Sequence, residues 1–200
     1  MDIDTPHGPA RAHVDAAAKP AGTLALGHGA GGGVEAADMQ AAAEVAKAAG
    51  FTVVLVEQPY RVAGRKAPAP AKQLDAAWLA VIERLRGDGL IAEPFVSGGR
   101  SMSARVACRT AAQAGADAVL CLAFPVHPPG KADDPSKSRQ GELDAVDLPV
   151  LVIQGENDPF GMPTGGPNHE VVAVAGNHGL KADLPALREA VAGWLANLDR

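Results

Sequence analysis

The sequence lacks features that are typical of disulfide-rich, membrane-spanning and nucleic-acid-binding proteins. It contains only two cysteines, Cys108 and Cys121, too few for the disulfide framework of a small secreted protein. Its longest apolar runs, such as FTVVLVEQPY, are too short to span a bilayer. Its formal net charge is −5, so it lacks the positive charge with which proteins bind nucleic acids or anionic membranes. We therefore expect neither a nucleic acid nor a membrane among its partners.

The beginning of the sequence lacks the features of a secretory signal. The residues MDIDTPHGPARA contain neither a basic start nor an apolar stretch. Cys121 lies inside the apolar run AVLCLAF, which is typical of a buried thiol that acts as a small hydrophobic residue. Together these features favour a reducing, cytoplasmic location.

Sequence motifs for metal ions and for bound phosphate are also missing. The six histidines form no His-x-His or His-Glu-x-x-His pair, and the two cysteines do not have ligand spacing. The glycine-rich stretch that ends at Gly33 is followed by Val34, where a P-loop would need lysine. We predict no metal ion and no cofactor.

What is present is a regular alternation of apolar strands and alanine-rich helices. With 200 residues, of which 47% are apolar and 20% charged, the chain suits one domain over residues 1–200. Strands are predicted in GTLALGHG, FTVVLVEQ, EPFVSGGR, DAVLCLAFP, LPVLVIQGEND and HEVVAVAG, with an edge strand in ARAHV. This alternation favours parallel pairing with helices on both faces. We predict an α/β fold with a doubly wound, mostly parallel sheet of about six to seven strands.

One segment, from Pro125 to Asp147, breaks this alternation. It is rich in proline and charge and shows little helical periodicity. It follows the end of a strand, where ligands of open α/β sheets bind, so we predict a loop over the site. The segment is too short for a large lid domain.

The strongest chemical signal is the segment VSGGRSMSARVA, which places Ser101 between a strand and a helix. A sharp turn there exposes a nucleophilic hydroxyl above the sheet, and small residues must stand two positions on either side. Gly99 meets this requirement, whereas Ser103 replaces the usual second glycine. An ordinary helix-capping serine is the alternative interpretation.

Two further residues complete the chemistry that a serine nucleophile needs. Asp158 follows one predicted strand and His178 follows the last, so both lie at the same edge of the sheet as Ser101. The chain order Ser101, Asp158, His178 is that of an α/β-hydrolase triad. His178 is the predicted base, and Asp158 is the acid that orients it.

Three other residues compete for these roles. His127 also follows a strand, but as the base it would give an order that the topology does not favour. Glu156 is the main alternative to Asp158 as the acid. His169 directly precedes a strand, so we expect it at the opposite end of the sheet.

The glycine loop LALGHGAGGG permits two interpretations. Gly27, Gly29 and Gly32 match the dinucleotide fingerprint G-x-G-x-x-G, and Glu57 ends the next strand, where an acid would bind the ribose. That interpretation predicts a nicotinamide-dependent enzyme but leaves the three candidate triad residues unexplained. The other interpretation is an oxyanion loop, in which backbone N–H groups hold the charge of a tetrahedral intermediate.

In the oxyanion interpretation, the N–H of Ala30 or a neighbour joins that of Met102 in holding the oxyanion. Arg100 and Arg105 flank Ser101, and either one could brace a loop or contact an acidic substrate group. The side chains and backbone predicted to line the substrate pocket are those of His28, Gly29, Arg100 and His127.

The combined motifs LGHGAGGG, GGRSMSAR, LAFPVHPPGK, VLVIQGENDPFG and GNHGLK resemble a known group of small, lidless α/β-hydrolases. This group includes the testis-expressed-protein type and the hydrolase-like subunit of the NSL histone acetyltransferase complex. The resemblance spans Leu26 to Lys181 and implies a compact α/β-hydrolase core without a large lid. It also implies a nucleophile at Ser101, an acid at Asp158 and a base at His178.

The sequence therefore favours a serine hydrolase that cleaves a small carboxylic ester or thioester through an acyl-enzyme, as a monomer or homodimer. The alternative from another class is a non-catalytic, hydrolase-fold protein-interaction module. That alternative would explain the altered second small position at Ser103 and needs no substrate.

Overall fold

The computed structural model describes residues 1–198, so the last two residues of the predicted domain lie outside it. The strands are β1 (Asp2–Ile3), β2 (Ala10–Asp15), β3 (Thr23–Gly27), β4 (Thr52–Glu57), β5 (Phe95–Arg100), β6 (Ala118–Leu122), β7 (Val150–Gly155) and β8 (His169–Val174). The helices are α1 (Ala37–Ala48), α2 (Pro59–Val62), α3 (Ala71–Gly87), α4 (Met102–Ala114), α5 (Gln140–Asp144) and α6 (Leu184–Leu195), with a 3-10 turn at Pro135–Lys137.

The strands form one sheet in the order β1-β2-β4-β3-β5-β6-β7-β8. The six strands from β3 to β8 pair in parallel, and β1 and β2 are antiparallel at one edge. The predicted α/β class, the six parallel strands and the edge strand are confirmed. The two-residue strand β1 is an eighth strand that was not predicted, because so short a segment carries no periodicity.

Helices cover both faces of the sheet and divide the core in two. Residues of α3, α4 and α5 pack on one face, around Trp78, Phe95 and Leu143. Residues of α1 and α6 pack on the other face, around Met39 and Leu187. The central strands β3, β5, β6 and β7 are buried on both faces, as their apolar runs predict, whereas edge strand β8 is partly exposed.

The segment from Pro125 to Asp147 is not a loop throughout. Its later part forms α5, whose Leu143 is fully buried and whose Glu142 pairs with Arg105 and Arg109 of α4. The five-residue helix is too short to show a helical period in the sequence. Its first part stays close to the candidate site, since the N–H of His127 donates to the carbonyl of Phe160.

The tightest backbone approach in the fold positions Ser101 at the turn between β5 and α4. A Cβ atom added to Gly99 would lie 2.5 Å from the backbone carbonyl carbon of Ser103, so only glycine fits there. Ser101 itself has φ 53°, a left-handed conformation that is costly for a residue with a side chain. The sheet thus holds Ser101 in a strained turn at the carboxyl end of β5.

We expect the substitution Gly99→Ala to lower the free energy of unfolding by about 1–3 kcal/mol, the usual cost of overpacking. The added methyl group would force α4 away from the sheet. Urea unfolding followed by circular dichroism measures the change. Gly193→Ala on α6 is the matched control, because a Cβ atom there meets nothing within 4 Å. An equal loss of stability in both variants would contradict the proposed contact.

Candidate active site

The three predicted catalytic residues lie together in one hydrogen-bonded chain. His178 Nδ1 is 2.7 Å from Asp158 Oδ2, and His178 Nε2 is 2.8 Å from Ser101 Oγ. Each residue follows a strand of the parallel sheet, so all three meet at its carboxyl edge. With Nδ1–H donating to the carboxylate, Nε2 is free to accept the proton of the serine hydroxyl.

The surroundings of Asp158 fix the acid end of this chain. Its side chain is only 1% exposed, and its Oδ1 accepts the N–H of Phe160 at 2.9 Å. Its Oδ2 also accepts the amide of Gln154 at 2.9 Å. These donors restrict the orientation of the carboxylate that contacts His178.

Met102 and Ala30 are the residues whose N–H groups were predicted to hold an oxyanion. Met102 is the first residue of α4, where an N–H has no partner within the helix and the helix dipole favours negative charge. Ala30 lies half-buried in the loop after β3. In residues 1–198, neither N–H donates to another residue.

The comparisons with known proteins identify the family and the fold. Residues 20–180 match the family described as an alpha/beta hydrolase domain. The chain belongs to this family. A search of curated proteins found no match.

Solved structures show that the whole alpha/beta hydrolase fold is shared. Est1E from Butyrivibrio proteoclasticus superposes with a TM-score of 0.80 at 16% identity, covering 100% of this chain and 98% of that one. XC6422 from Xanthomonas campestris, described as an a/b serine hydrolase without lid, has a TM-score of 0.73 at 22% identity, over 98% and 92%. A serine hydrolase homologue from Coxiella burnetii has a TM-score of 0.75 at 16% identity, over 98% and 96%. The chain is thus similar in fold to lidless members of the superfamily.

The dinucleotide interpretation of the glycine loop disagrees with how this hydrolase packs. In a dinucleotide site the third glycine allows close packing of helix and strand, but a Cβ atom at Gly32 would meet nothing within 4 Å. Helix α1 begins only at Ala37, so its N-terminus does not follow the glycines directly. Glu57 lies 3.4 Å from His13. In the described residues, no group of three or more His, Cys, Asp or Glu side chains could hold a metal ion.

His28 is not placed to line a substrate pocket, because its side chain is completely buried. Its Nδ1 lies 2.8 Å from the carbonyl of Gly29, and its Nε2 accepts the N–H of Gln58 at 3.1 Å. The ring therefore links the glycine loop to the end of β4. A histidine among glycines looks exposed in the sequence, and only the fold reveals this burial.

Arg100 and Arg105, which flank Ser101, both form ion pairs with carboxylates. Arg105 pairs with Glu142 at 2.5 Å, and Arg100 pairs with Asp38 at 2.8 Å. Arg100 was predicted to line the substrate pocket, but its guanidinium lies against buried groups of the protein. Gly29, a second predicted lining residue, is buried above that guanidinium.

The three competing residues stand apart from the hydrogen-bonded chain. His127 lies near the site, where its Nδ1 contacts the carbonyl of Pro128 at 2.9 Å and its ring lies beside Gly161. Glu156 follows the same strand as Asp158, β7, but its side chain is exposed. His169 begins β8 and contacts the carbonyl of Val146, at the opposite end of the sheet, as expected.

Sequence reasoning missed several residues that support the site. Phe160 packs against His178 with ring centres 4.2 Å apart and ring planes tilted by 31°. The hydroxyl of Tyr60 donates to the carbonyl of Ala30 at 3.0 Å and lies 3.8 Å from the sulfur of Met102. Gln154 is a polar residue inside an apolar strand, a signal that could have identified it.

Ser103, the departure from the usual second glycine, is accommodated by a specific bond. Its hydroxyl donates to the carbonyl of His28 at 2.6 Å, and the residue is 1% exposed. The turn that carries Ser101 is thereby tied to the glycine loop. The serine is compatible with the turn because its hydroxyl has an acceptor.

We expect Ser103→Ala to lower the free energy of unfolding by about 1–2 kcal/mol, since the buried carbonyl of His28 would lose its donor. Chemical unfolding measures the loss. Thr110→Val is the control on the same helix, because its hydroxyl bonds only to Val106 one turn away. Solvent exchange of the amides in the glycine loop should rise in Ser103→Ala and not in Thr110→Val. If amide exchange in the glycine loop is unchanged in both variants, the proposed link between Ser103 and this loop is wrong.

The buried ring of His28 predicts an acid-sensitive fold. Burial lowers the pKa of His28 below its usual value. As the pH falls below about 6.5, His28 becomes protonated in the unfolded chain but stays neutral in the folded chain. The free energy of unfolding therefore decreases as the pH falls below this value. Unfolding free energies at pH 7.5 and 5.5 should fall less in His28→Asn than in wild type. His13→Asn, at an exposed histidine, is the control and should lose as much unfolding free energy between pH 7.5 and pH 5.5 as wild type. An equally reduced loss in both variants would contradict the assignment to His28.

Proposed function

We propose that this alpha/beta hydrolase is a serine hydrolase that cleaves small carboxylic esters or thioesters. The observation that carries the proposal is the unbroken chain from Asp158 through His178 to Ser101. A weak hydroxyl nucleophile needs a base within hydrogen-bond reach and a group that orients that base. Est1E, which is similar in fold with a TM-score of 0.80, has been solved with ferulic acid bound.

In the proposed reaction, Ser101 Oγ attacks the acyl carbon while His178 Nε2 takes its proton. The positive charge that develops on the imidazole is balanced by Asp158. The carbonyl oxygen becomes an oxyanion held by the N–H groups of Met102 and Ala30, and each such donor contributes about 10²–10³-fold in rate. His178 then protonates the leaving alcohol or thiol, and an acyl-enzyme remains on Ser101.

Deacylation repeats these steps with water as the nucleophile. His178 takes a proton from water, which attacks the acyl carbon, and then returns a proton to Ser101 Oγ. The carboxylic acid leaves and the hydroxyl is restored. These steps use only side chains and backbone groups of the chain, without a cofactor.

Three narrower expectations stay predictions. They are the cytoplasmic location, a monomeric or homodimeric state, and the resemblance to the testis-expressed-protein and NSL-subunit type. In residues 1–198, no helix is both long and apolar enough to cross a membrane.

A fluorophosphonate probe tests the proposal, because it forms a covalent adduct only with an activated serine. We expect wild type to be labelled and to hydrolyse p-nitrophenyl acetate or a short acyl thioester. Ser101→Ala should abolish labelling and reduce kcat at least 10³-fold, since the triad acts as a unit. Ser136→Ala, at an exposed serine, is the matched control and should keep both activities.

The competing hypothesis, a non-catalytic interaction module, makes the opposite prediction. If the folded wild-type protein forms no adduct that depends on Ser101 and cleaves none of these esters or thioesters, the enzyme proposal is wrong. Circular dichroism must show that each variant is folded, so that a loss of labelling reports on chemistry.

A further inference from the structure

The feature that the proposed reaction does not use is a buried ion pair directly beside the nucleophile. Arg100, the residue before Ser101, donates through Nε to Asp38 Oδ2 at 2.8 Å. Its Nη2 donates to the backbone carbonyl of His178 at 3.0 Å. The exposed fractions of the two paired side chains are 17% for Arg100 and 1% for Asp38.

Burying the carboxylate of Asp38 costs free energy, so its burial needs a compensating interaction. It lies in the first turn of α1, and its Oδ1 accepts the N–H of Met39 at 3.0 Å. A buried carboxylate without a cation would be strongly destabilising. Arg100 is the cation that lies within 4 Å of it in the described residues. The pair therefore ties α1 to the turn that carries Ser101.

The same guanidinium also lies against the glycine loop. A Cβ atom added to Gly29 would stand 2.6 Å from Arg100 Nη1, so the loop backbone passes directly over the side chain. One planar group thus contacts α1, the loop after β3 and the loop after β8. These last two loops carry Ala30 and His178.

We propose that Arg100 is a positioning residue that sets the distance between His178 and Ser101, and that Asp38 fixes the orientation of its guanidinium. The inference rests on the proposed function. His178 lies in the loop between β8 and α6, so the position of its imidazole depends on contacts with other parts of the chain. A displacement of about 1 Å in a catalytic group can reduce the rate about 10²-fold.

The geometry favours this role over binding of an acidic substrate. The Nε and Nη2 atoms already donate to groups of the protein, and Nη1 lies under Gly29. A planar guanidinium can reach Asp38 and the His178 carbonyl together, whereas a lysine ammonium is a single point of charge. Arg100→Lys therefore keeps the charge and loses the bridge.

The test compares Arg100→Lys with Arg105→Lys, a control on α4 whose arginine pairs with Glu142. The substrates are p-nitrophenyl acetate, which is neutral, and the p-nitrophenyl monoester of succinic acid, which is anionic. For Arg100→Lys we expect kcat to fall at least tenfold on both substrates, with KM within about twofold of wild type. Arg105→Lys should match wild type.

A spectroscopic readout makes the test independent of catalysis. The proton between His178 Nδ1 and Asp158 should give a far-downfield proton NMR signal, assigned by its loss in His178→Ala. We expect this signal in wild type and in Arg105→Lys, and expect it to broaden or vanish in Arg100→Lys. Asp38→Asn, which keeps the size of the side chain, is a second variant with the same expected direction, in case Arg100→Lys does not fold.

Two results would overturn the inference. One is a rise in KM for the anionic ester alone with kcat unchanged, which would make Arg100 a substrate-binding residue. The other is an NMR signal and kinetics that are unchanged in Arg100→Lys and Asp38→Asn, when both variants are folded and wild type is active. This second result would leave the proposed function intact. An inactive wild type whose NMR signal still depends on Arg100 would instead contradict the proposed function and support the positioning role.

Discussion

The whole site depends on the close approach of β5 and α4 at the turn that carries Ser101. Gly99 and Ser103 are in backbone contact there, and Ser101 is held at φ 53°. Strain of this kind persists only where the surrounding structure supports it. Here the support is the central position of β5, which pairs with β3 on one side and β6 on the other. Without that close contact the hydroxyl would have no fixed direction toward His178.

Buried polar groups then connect this turn to the other parts of the site. Ser103 bonds to the carbonyl of His28, Arg100 to Asp38 and the His178 carbonyl, and Gln154 to Asp158. Each of these groups would destabilise the fold if it were left without a partner. Stability and the geometry of the candidate site are therefore determined by the same bonds, and a change to one of these bonds should affect both.

The proposed substrate class rests on what surrounds the three residues as well as on the residues themselves. The segment after β6 contributes α5 to the side of α4, where it packs through Leu143. Its first residues lie near the triad, where the N–H of His127 donates to the carbonyl of Phe160. Ser101 is partly exposed, which suits the small esters or thioesters that we propose.

The sequence by itself determined the parallel sheet, the strand ends and the three residues of the hydrogen-bonded chain. It could do so because apolar strands are local patterns and the carboxyl ends of parallel strands share one edge. The burial of His28 and the pairing of Asp38 with Arg100 were decided only by the tertiary structure. Asp38 and Arg100 are 62 residues apart in the chain, and no local pattern encodes their pairing. Burial, which turned His28 from a pocket residue into a structural one, likewise exists only once the elements pack together.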